Sequence, residues 1–421
     1  MDVSRSFPDR LPDRLFEGRR DGGPARREEP VPDGPVPFAR TEISTEAREA
    51  AQRVLASGWV TTGPETALFE REFAAYVGAA HAVGVSSCTA ALELALRALR
   101  LPAGSRVLVP TLTFCGTAHA VLHAGLLPVL VDVDPRTGMP SALTTARAVT
   151  RTGRPAAMVV VHLAGAPAPL EELATAASLP LDLVVEDAAH ALGTYVGEKP
   201  VGSLSRATCF SFYATKNLPI GEGGMVTTDD PELAAHVHRA RLHGMSADAW
   251  RRYQPGGGWR YTVDEAGIKA NMTDLQAAIG RMQLRHLPEW QRRREAIATL
   301  YTARLRHVPG LRLPLEPAEG RHAWHLYAVR VLEERFGLAR DELIDRLAAR
   351  EIGTSVHFVP LHRMPYFRRT ALSPAGGFPG ADALFPGLLS LPMHPGLTER
   401  QVDTVCRALA QAARPAEEAP R

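Results

Sequence analysis

Long apolar runs are absent from this chain of 421 residues, and so is a large excess of charge of either sign. No run reaches the roughly 20 residues that a helix needs to cross a bilayer, and the N-terminal stretch lacks the apolar core of a signal peptide. The formal net charge is +2, with basic and acidic residues interleaved. We therefore expect a cytoplasmic protein that has neither nucleic acid nor a membrane as a partner.

Cysteine is also scarce. The chain has four cysteines, which lie far apart and form no CxxC pair: Cys88, Cys115, Cys209 and Cys406. This spacing excludes a disulfide framework and a cysteine-based zinc site. His357, His362 and His394 lack the i, i+4 spacing and the adjacent carboxylate that are typical of a metal site, so we expect no bound metal.

Short apolar runs that alternate with helical patterns are what the chain does contain. The runs predicted to be strands are His81–Val85, Val107–Val109, Val129–Val133, Met158–His162, Leu183–Glu186, Ala207–Tyr213 and Met225–Thr228. Continuous valine and leucine runs separated by helices are typical of parallel strands that are covered on both faces. The pattern predicts an α/β fold, in which ligands bind at the carboxyl ends of the strands.

The composition divides the chain into four predicted parts. Residues 1–35 are rich in Arg, Asp, Pro and Gly, and we expect them to form a mobile leader. Residues 36–287 form the predicted large domain and residues 288–415 a smaller C-terminal α/β domain. Residues 416–421 are expected to be a frayed tail.

Three further segments carry specific expectations. The pattern predicts a helix over Asn271–Leu284, with Asn271 or Thr273 as its cap. It also predicts a strand over Ser355–Phe358. Residues 246–267 are polar and contain Gly and Trp, and their length indicates a functional loop.

One lysine, Lys216, lies between two predicted strands, in an apolar run that ends in a glycine-rich turn. Buried ammonium groups are rare because they lose their hydration. This lysine is either a surface residue of a hairpin loop or a functional group, namely the lysine that forms a Schiff base with pyridoxal phosphate (PLP). The stretch alone does not decide between the two.

Other candidate residues follow the ends of predicted strands. The turn Ser86–Thr89 lies between a strand and an apolar helix, where the free N–H groups of the first helical turn bind phosphate. Ordinary capping of the helix is the alternative. Phe114 and Asp187 each follow a strand as well, and their alternatives are a core phenylalanine and a turn residue.

PLP requires four things from a protein: a lysine for its aldehyde, a carboxylate for its ring nitrogen, an aromatic face, and donors for its phosphate. Along the predicted sheet the chain offers, in order, the Ser86–Thr89 turn, Phe114, Asp187, Ser211 and Lys216. Each residue alone is a weak indicator. Their joint order favours a PLP site.

Five segments together resemble the successive motifs of the DegT-type sugar aminotransferases. They are VSSCTAALELALRAL, VPTLTFCGTAHAVLHAGLLPVLVDVD, VVEDAAHALGTYVGEKPVGS, FSFYATKNLPIGEGGMVTTDD and GIKANMTDLQAAIGRMQL. The resemblance runs from about Gly58 to Leu287 and continues more weakly to the C-terminus. It implies a fold type I PLP enzyme, with a mostly parallel seven-stranded sheet, that aminates keto sugars usually attached to a nucleotide.

The resemblance also implies roles for the residues around the cofactor ring. Lys216, in SFYATKN, matches the lysine that binds PLP covalently, and Asp187, in EDAAH, matches the partner of the ring nitrogen. His190 matches the position beside the phenolic oxygen, where Gln is also common in the family; a structural histidine is the alternative. Phe114 matches the aromatic residue that stacks on the ring.

Phosphate contacts are implied for a second group of residues. Cys88, Thr89 and Ser211 match phosphate contacts of the family, beside Ser87 in the same turn. The family often has Gly at the position of Cys88, so there we expect the backbone N–H to act. Asn271 matches a residue that reaches the phosphate of the neighbouring subunit, which implies a homodimer with shared active sites.

Further segments resemble the branch of the family that acts on nucleotide-linked 4-keto-6-deoxy or 4-keto pentose sugars. Two of them are SGWVTTGP and HFVPLHRMPYF. They suggest a sugar site with Trp59, Thr61, His357 and His362, although loop histidines with a structural role are the alternative for the last two. The expected reaction moves an amino group from an amino acid, with L-glutamate favoured, to C4 of the sugar; a C3-keto sugar or a keto-cyclitol is the alternative acceptor.

Two other functions are alternatives to the aminotransferase. Some relatives carry histidine in place of the lysine and act as dehydratases, and Lys216 therefore favours transamination. A PLP-binding regulator without turnover would be favoured by a fused helix-turn-helix module, and the leader shows none. The composition is typical of a high-GC genome, which suggests amino-sugar biosynthesis for antibiotics and other specialised metabolites.

Overall fold

The computed structural model describes residues 34–246, 259–317, 319–374 and 376–413. Its central feature is a seven-stranded sheet with the order β1-β9-β8-β5-β4-β2-β3. These strands are β1 (His81–Val85), β2 (Arg106–Pro110), β3 (Leu127–Val131), β4 (Ala157–Val161), β5 (Val184–Asp187), β8 (Ala207–Ser211) and β9 (Gly224–Thr228). A short hairpin of β6 (Tyr195–Val196) and β7 (Lys199–Pro200) lies between β5 and β8 in the chain.

The sheet is mostly parallel, which confirms the predicted α/β fold. Strands β3, β2, β4, β5 and β8 pair in parallel in that spatial order. Strand β9 pairs antiparallel with both of its neighbours, β8 and β1. The carboxyl ends of β1, β5 and β8 therefore meet at one edge of the sheet.

Helices cover this sheet because its strands are apolar on both sides. All five residues of β4 are buried, as are all five of β9. The helices that precede or follow the strands are α1 (Thr45–Ser57), α2 (Pro64–Val77), α3 (Cys88–Ala98), α4 (Cys115–His123), α5 (Ala142–Thr152), α6 (Leu170–Ala176) and α7 (Pro231–Ala240). Burial on both faces explains why the strand sequences read as continuous apolar runs.

The long helix α8 (Asp274–Leu305) corrects one sequence prediction. A helix was expected from Asn271, but Asn271 forms a β-bridge with Val85 and lies before the helix. Thr273, the other predicted cap, caps it by accepting a hydrogen bond from Gln276 N. The helix continues past Pro288, so the predicted domain boundary at residue 287 falls inside a continuous helix.

The C-terminal third forms a second sheet with the order β10-β11-β12. The strands of this sheet are β10 (Leu311–Arg312), β11 (Tyr327–Val331) and β12 (Leu388–Leu391). The helices of the C-terminal third are α9 (Glu333–Phe336), α10 (Arg340–Ala348), α11 (Pro365–Thr370), α12 (Pro379–Leu384) and α13 (Glu399–Ala412). The predicted strand at Ser355–Phe358 was wrong: only Ser355 pairs, in an isolated bridge with Ser390. After Ser355 the chain does not continue along the edge strand β12, because His357 and Phe358 line the cavity that contains Lys216.

Parts of three predicted segments lie outside the described residues: the leader up to residue 33, most of the loop at 246–267, and the tail. Among the residues that the structure does describe, no helix is long and apolar enough to span a membrane.

Candidate active site

One cavity of about 530 Å³ lies at the carboxyl ends of β5 and β8. Nine of the residues predicted from the sequence line it: Ser87, Cys88, Thr89, Phe114, Asp187, His190, Ser211, Lys216 and His357. They come from five separate stretches of chain. The sheet brings four of these stretches together because each lies at or just after the carboxyl end of a strand, namely β1, β2, β5 or β8. His357 joins them from the C-terminal part of the chain.

Lys216 lies in a compact loop between β8 and β9. Lys216 N donates to Tyr213 O at 2.8 Å, and Phe212 N donates to Gly223 O at 2.9 Å, which closes the loop. Burial lowers the pKa of Lys216 to about 8, although electrostatic interactions with Cys88 and Asp187 act in the opposite direction. A substantial fraction of the Lys216 side chains is therefore neutral near physiological pH, as a nucleophile or base requires.

Asp187 ends strand β5 and is buried, with 6% of its surface exposed. Its carboxylate accepts hydrogen bonds from Thr117 Oγ1 at 2.7 Å and from Ala189 N at 3.1 Å. Burial raises the pKa of Asp187, while the Thr117 hydrogen bond lowers it. In the part of the chain that the structure describes, no cationic side chain forms an ion pair with this carboxylate.

Glu186 precedes Asp187 on β5 and points to the opposite face of the sheet. Its carboxylate accepts hydrogen bonds from Ser205 Oγ and Thr208 Oγ1, both at 2.8 Å, and pairs with His162 Nε2 at 2.8 Å. All of these donors come from neighbouring strands or their ends. The network fixes the end of β5 and therefore the position of Asp187.

The start of α3 forms a second wall of the cavity. Ser87 caps the helix by accepting a hydrogen bond from Ala90 N at 3.1 Å, and the N–H groups of Cys88 and Thr89 lie in the first turn. A Cβ on Gly224 would lie 2.5 Å from Ser87 C and 2.7 Å from Cys88 N. Only glycine at this position lets β9 approach the turn so closely.

Aromatic rings form the opposite side. Phe114 directly precedes α4 and is 58% exposed, so it is not a core phenylalanine. Its ring lies 5.9 Å from the ring of Phe358, which in turn lies 5.8 Å from His190. The exposed face of Phe114 is free to stack on a planar ligand.

Three histidines surround the lysine: His190, His325 and His357. Burial lowers the pKa of all three, that of His357 to about 4, and the Lys216 charge contributes to each decrease. His325, together with Asn217 and Thr117, was missed by the sequence analysis. These three residues contact site residues that are distant from them in the sequence, so no local pattern indicates that they belong to the site.

Four predicted site residues do not line this cavity. Asn271 donates from Nδ2 to Thr62 Oγ1 at 2.6 Å. Trp59 donates from Nε1 to Thr62 O at 3.1 Å, and Thr61 O accepts from Asp274 N. His362 contacts Thr111 Oγ1 at 2.8 Å and Asp382 Oδ1 at 3.1 Å, and stacks on Phe378.

The donor set fits PLP. A buried carboxylate with no ion pair suits a protonated ring nitrogen, and an amine with a lowered pKa suits the aldehyde. The free N–H groups at the start of α3 suit a phosphate. These groups line one cavity, with Phe114 placed to cover a ring. By contrast, no group of His, Cys, Asp and Glu residues among the described residues suits a metal ion.

A comparison with family models agrees with this site. The model described as the DegT/DnrJ/EryC1/StrS aminotransferase family matches residues 41–410. The chain belongs to this aminotransferase family. Of the residues that line the Lys216 cavity, only Phe38 and Ala39 fall outside the match.

Individual relatives of this aminotransferase agree with the family assignment. The spore coat polysaccharide biosynthesis protein SpsC of Bacillus subtilis is 44% identical over 375 residues, which cover 89% of this chain and 96% of SpsC. The solved structure of DesV from S. venezuelae is 37% identical with a TM-score of 0.78, over 88% of this chain and 95% of DesV.

A second solved structure bears on the cofactor. The putative sugar aminotransferase Spr1654 of Streptococcus pneumoniae, in its PLP form, is 29% identical with a TM-score of 0.80, over 90% of this chain and 98% of Spr1654. Spr1654 has also been solved in a PMP form. The present chain is thus a PLP-dependent sugar aminotransferase with the type I fold, as the sequence predicted.

Proposed function

We propose that this aminotransferase moves the amino group of L-glutamate to C4 of a nucleotide-linked 4-keto-6-deoxyhexose, in amino-sugar biosynthesis. The observation that carries the proposal is the Lys216 amine, with a pKa of about 8, beside the buried Asp187 carboxylate in one cavity. A cavity of about 530 Å³ is within the usual range for small-molecule sites. The choice of C4 is supported by segments such as SGWVTTGP, which resemble the corresponding branch of the family.

Bound PLP supplies the electron sink and carries the amino group between the two substrates. Lys216 Nζ, as a neutral amine, removes the α-proton of the amino-acid donor and returns a proton during the same half-reaction. In the sugar half-reaction, Lys216 Nζ delivers a proton to the carbon that receives the amino group. Asp187 stabilises positive charge at the ring nitrogen throughout. Because one amine handles the proton in both halves, no second base is required.

The active site is proposed to be shared between two subunits. Asn271 does not line the cavity of its own chain, and its side chain contacts Thr62 and Lys269 near the end of β1. The resemblance to the family puts this asparagine at the phosphate of the neighbouring subunit. A homodimer in which each subunit completes the phosphate site of the other agrees with both observations.

Of the residues proposed for the sugar site, His357 has the strongest structural support. Its ring lines the cavity and stacks on Phe38 at 5.5 Å, and its Nδ1 lies 2.9 Å from Ser390 Oγ. Trp59, Thr61 and His362 lie outside this cavity in the single chain. We therefore propose that His357 contacts the sugar directly, and that the other three act only if the partner subunit or the bound nucleotide reaches them.

Incubation of the purified protein with L-glutamate and a panel of nucleotide keto sugars tests the proposal. We expect 2-oxoglutarate to form with 4-keto-6-deoxyhexoses, ping-pong kinetics, and a visible absorption band that the Lys216→Ala variant lacks. Formation of product only with a 3-keto sugar or a keto-cyclitol would replace the proposed acceptor. Unchanged absorption and activity in Lys216→Ala would overturn the proposed role of the lysine.

A further inference from the structure

His325 belongs to the cavity although no sequence motif indicated it. The residue lies just before β11, is 6% exposed, and lines the cavity with Lys216. Its Nδ1 lies 3.1 Å from Asn217 Oδ1. Its Nε2 has no hydrogen-bond partner among the described residues, yet it is not one of the buried unpartnered atoms. That nitrogen therefore faces the open space of the cavity.

Asn217 determines which nitrogen of His325 carries the proton. Asn217 Nδ2 donates to Ala323 O at 3.0 Å and to Leu192 O at 3.5 Å. Carbonyl oxygens only accept hydrogen bonds, so these two contacts require the amide nitrogen on their side and Oδ1 on the side of His325. Since Oδ1 also only accepts, His325 Nδ1 must donate. A neutral His325 then has its lone pair on Nε2.

His190 has the opposite arrangement. Its Nδ1 accepts a hydrogen bond from Ala164 N at 3.2 Å, so the proton of a neutral His190 is on Nε2. The rings of His190 and His325 lie 4.4 Å apart with an interplanar angle of 34°. Next to Lys216 the protein thus holds a hydrogen-bond donor, His190 Nε2–H, beside an acceptor, His325 Nε2.

The neutral state of His325 follows from its surroundings. Burial lowers its pKa well below the usual value, and the neighbouring His190, Lys216 and Arg294 lower it further. A positive charge on this ring would be repelled by the positive charge of Arg294. The acceptor at Nε2 is therefore maintained at physiological pH.

The backbone around His325 is held by a buried arginine. Arg294 Nη1 donates to Trp324 O at 3.1 Å, to His325 O at 3.4 Å and to Met393 O at 3.2 Å. Trp324 has φ 47°, in the left-handed region that non-glycine residues seldom adopt. Such conformations persist where the surroundings over-determine them, often at functional sites.

We propose that His325 Nε2 accepts a hydrogen bond from a hydroxyl of the sugar, namely the one next to the keto carbon, and thereby selects sugars that carry it. The inference rests on the proposed function. Lys216 Nζ must reach the keto carbon. The hydroxyl on the adjacent ring carbon is then the nearest hydrogen-bond donor that the sugar brings to His190 and His325.

The chemistry of the amino-acid donor makes it a poorer match for this acceptor. Its α-carboxylate has only acceptors, and a lone pair on His325 Nε2 would repel it. The α-nitrogen of the donor is the reacting atom and lies at the cofactor. A sugar hydroxyl has a proton to donate and is not consumed in the reaction, so it suits a fixed acceptor.

The His325→Phe variant removes the acceptor and keeps a ring. The two half-reactions of the holoenzyme are measured separately, with L-glutamate, with a nucleotide 4-keto-6-deoxyhexose, and with its 3-deoxy analogue. For the wild type we expect kcat/KM to be about 10-fold higher for the 3-hydroxy sugar, as one hydrogen bond provides. For His325→Phe we expect that preference to disappear, because kcat/KM for the 3-hydroxy sugar should fall to that of the 3-deoxy analogue.

Two further variants separate this role from a general loss of structure. His325→Gln keeps an amide oxygen near the position of Nε2 and should restore part of the preference. The matched control is His322→Phe, because His322 is a buried histidine of the same segment whose Nδ1 accepts from Trp324 N at 2.8 Å and which does not line the Lys216 cavity. This control should keep the full preference.

A binding measurement provides a readout besides activity. Calorimetry with dTDP-6-deoxyglucose, which has no keto group to aminate, should show about 10-fold weaker binding to His325→Phe than to the wild type. If the wild type aminates nucleotide keto sugars but His325→Phe keeps the preference and the affinity, this inference is wrong and the proposed function stands. If the wild type aminates no nucleotide keto sugar, both are wrong.

Discussion

The Thr117 hydroxyl donates a hydrogen bond of 2.7 Å to the Asp187 carboxylate. Thr117 is on α4, and the residue that precedes this helix is Phe114. The same short helix therefore positions the aromatic residue proposed to cover the cofactor and a donor for the carboxylate proposed to bind it. Thr113 Oγ1, 2.9 Å from Thr117 Oγ1, completes the chain of hydroxyls.

Replacement of Thr117 by valine should weaken the Asp187 carboxylate as a partner of the ring nitrogen. The pKa of Asp187, already raised by burial, loses the hydrogen bond that lowers it most. Hydrogen bonds to charged groups contribute about 1.5–3 kcal/mol, so we expect kcat to decrease roughly 10-fold or more. Steady-state kinetics measure this. Thr113→Val, which leaves the contact with Asp187 in place, should change kcat much less.

Lys216 should destabilise the cofactor-free protein at neutral pH. The pKa of Lys216 is about 8 in the folded protein, against 10.5 for an ordinary lysine. Between pH 8 and pH 10.5, Lys216 is protonated in the unfolded chain but neutral in the folded protein. The free energy of unfolding therefore rises with pH across this window. Below pH 8 the destabilisation by Lys216 is constant. We expect Lys216→Met to raise the free energy of unfolding by about 2 kcal/mol at pH 7, with a difference that shrinks toward pH 10.

Urea unfolding of both proteins, without cofactor, at several pH values measures this difference. Lys199→Met is the control because Lys199 is exposed, and it should show no such dependence on pH. If Lys216→Met raised the free energy of unfolding by the same amount from pH 7 to pH 10, the pKa of Lys216 would not be lowered in the folded protein.

Gly224→Ala should weaken phosphate binding at the start of α3 more than it destabilises the fold. The new Cβ would lie 2.5 Å from Ser87 C and 2.7 Å from Cys88 N, both backbone atoms that cannot rotate away. The turn before α3 must shift, and its N–H groups with it. We expect PLP affinity to decrease by about 10-fold or more, measured by absorbance titration of the cofactor-free protein. Equal affinity for PLP would show that the turn does not bind the phosphate.

A mixture of two inactive variants tests the shared active site. Lys216→Ala removes the lysine and Asn271→Ala removes the residue proposed to reach the phosphate of the partner. If Asn271 acts across the dimer, a heterodimer of the two variants has one complete site, and activity should reappear on mixing after dissociation. No recovery in demonstrably mixed dimers would place Asn271 in its own subunit's site. Each variant mixed with itself is the control.

Local sequence patterns predicted most of the candidate site. Lys216, Asp187 and Phe114 each lie at or just after the end of a strand whose apolar run is easily recognised, and the parallel sheet brings such strand ends to one edge. The same reasoning failed at Asn271, which was predicted to belong to the helix but forms a bridge to β1 instead. Pairing with a strand distant in sequence outweighed the local preference for helix.

The sequence by itself determined the α/β sheet, the lysine loop and the family, because apolar periodicity and short motifs are properties of neighbouring residues. Only the tertiary structure decided the antiparallel placement of β9, the hydroxyl of Thr117 on Asp187, and the entry of His325 into the cavity with its proton fixed by Asn217. Thr117 and Asp187 are 70 positions apart in the chain, and Asn217 and His325 are 108 positions apart. Long-range packing selects them, and no local pattern carries that information.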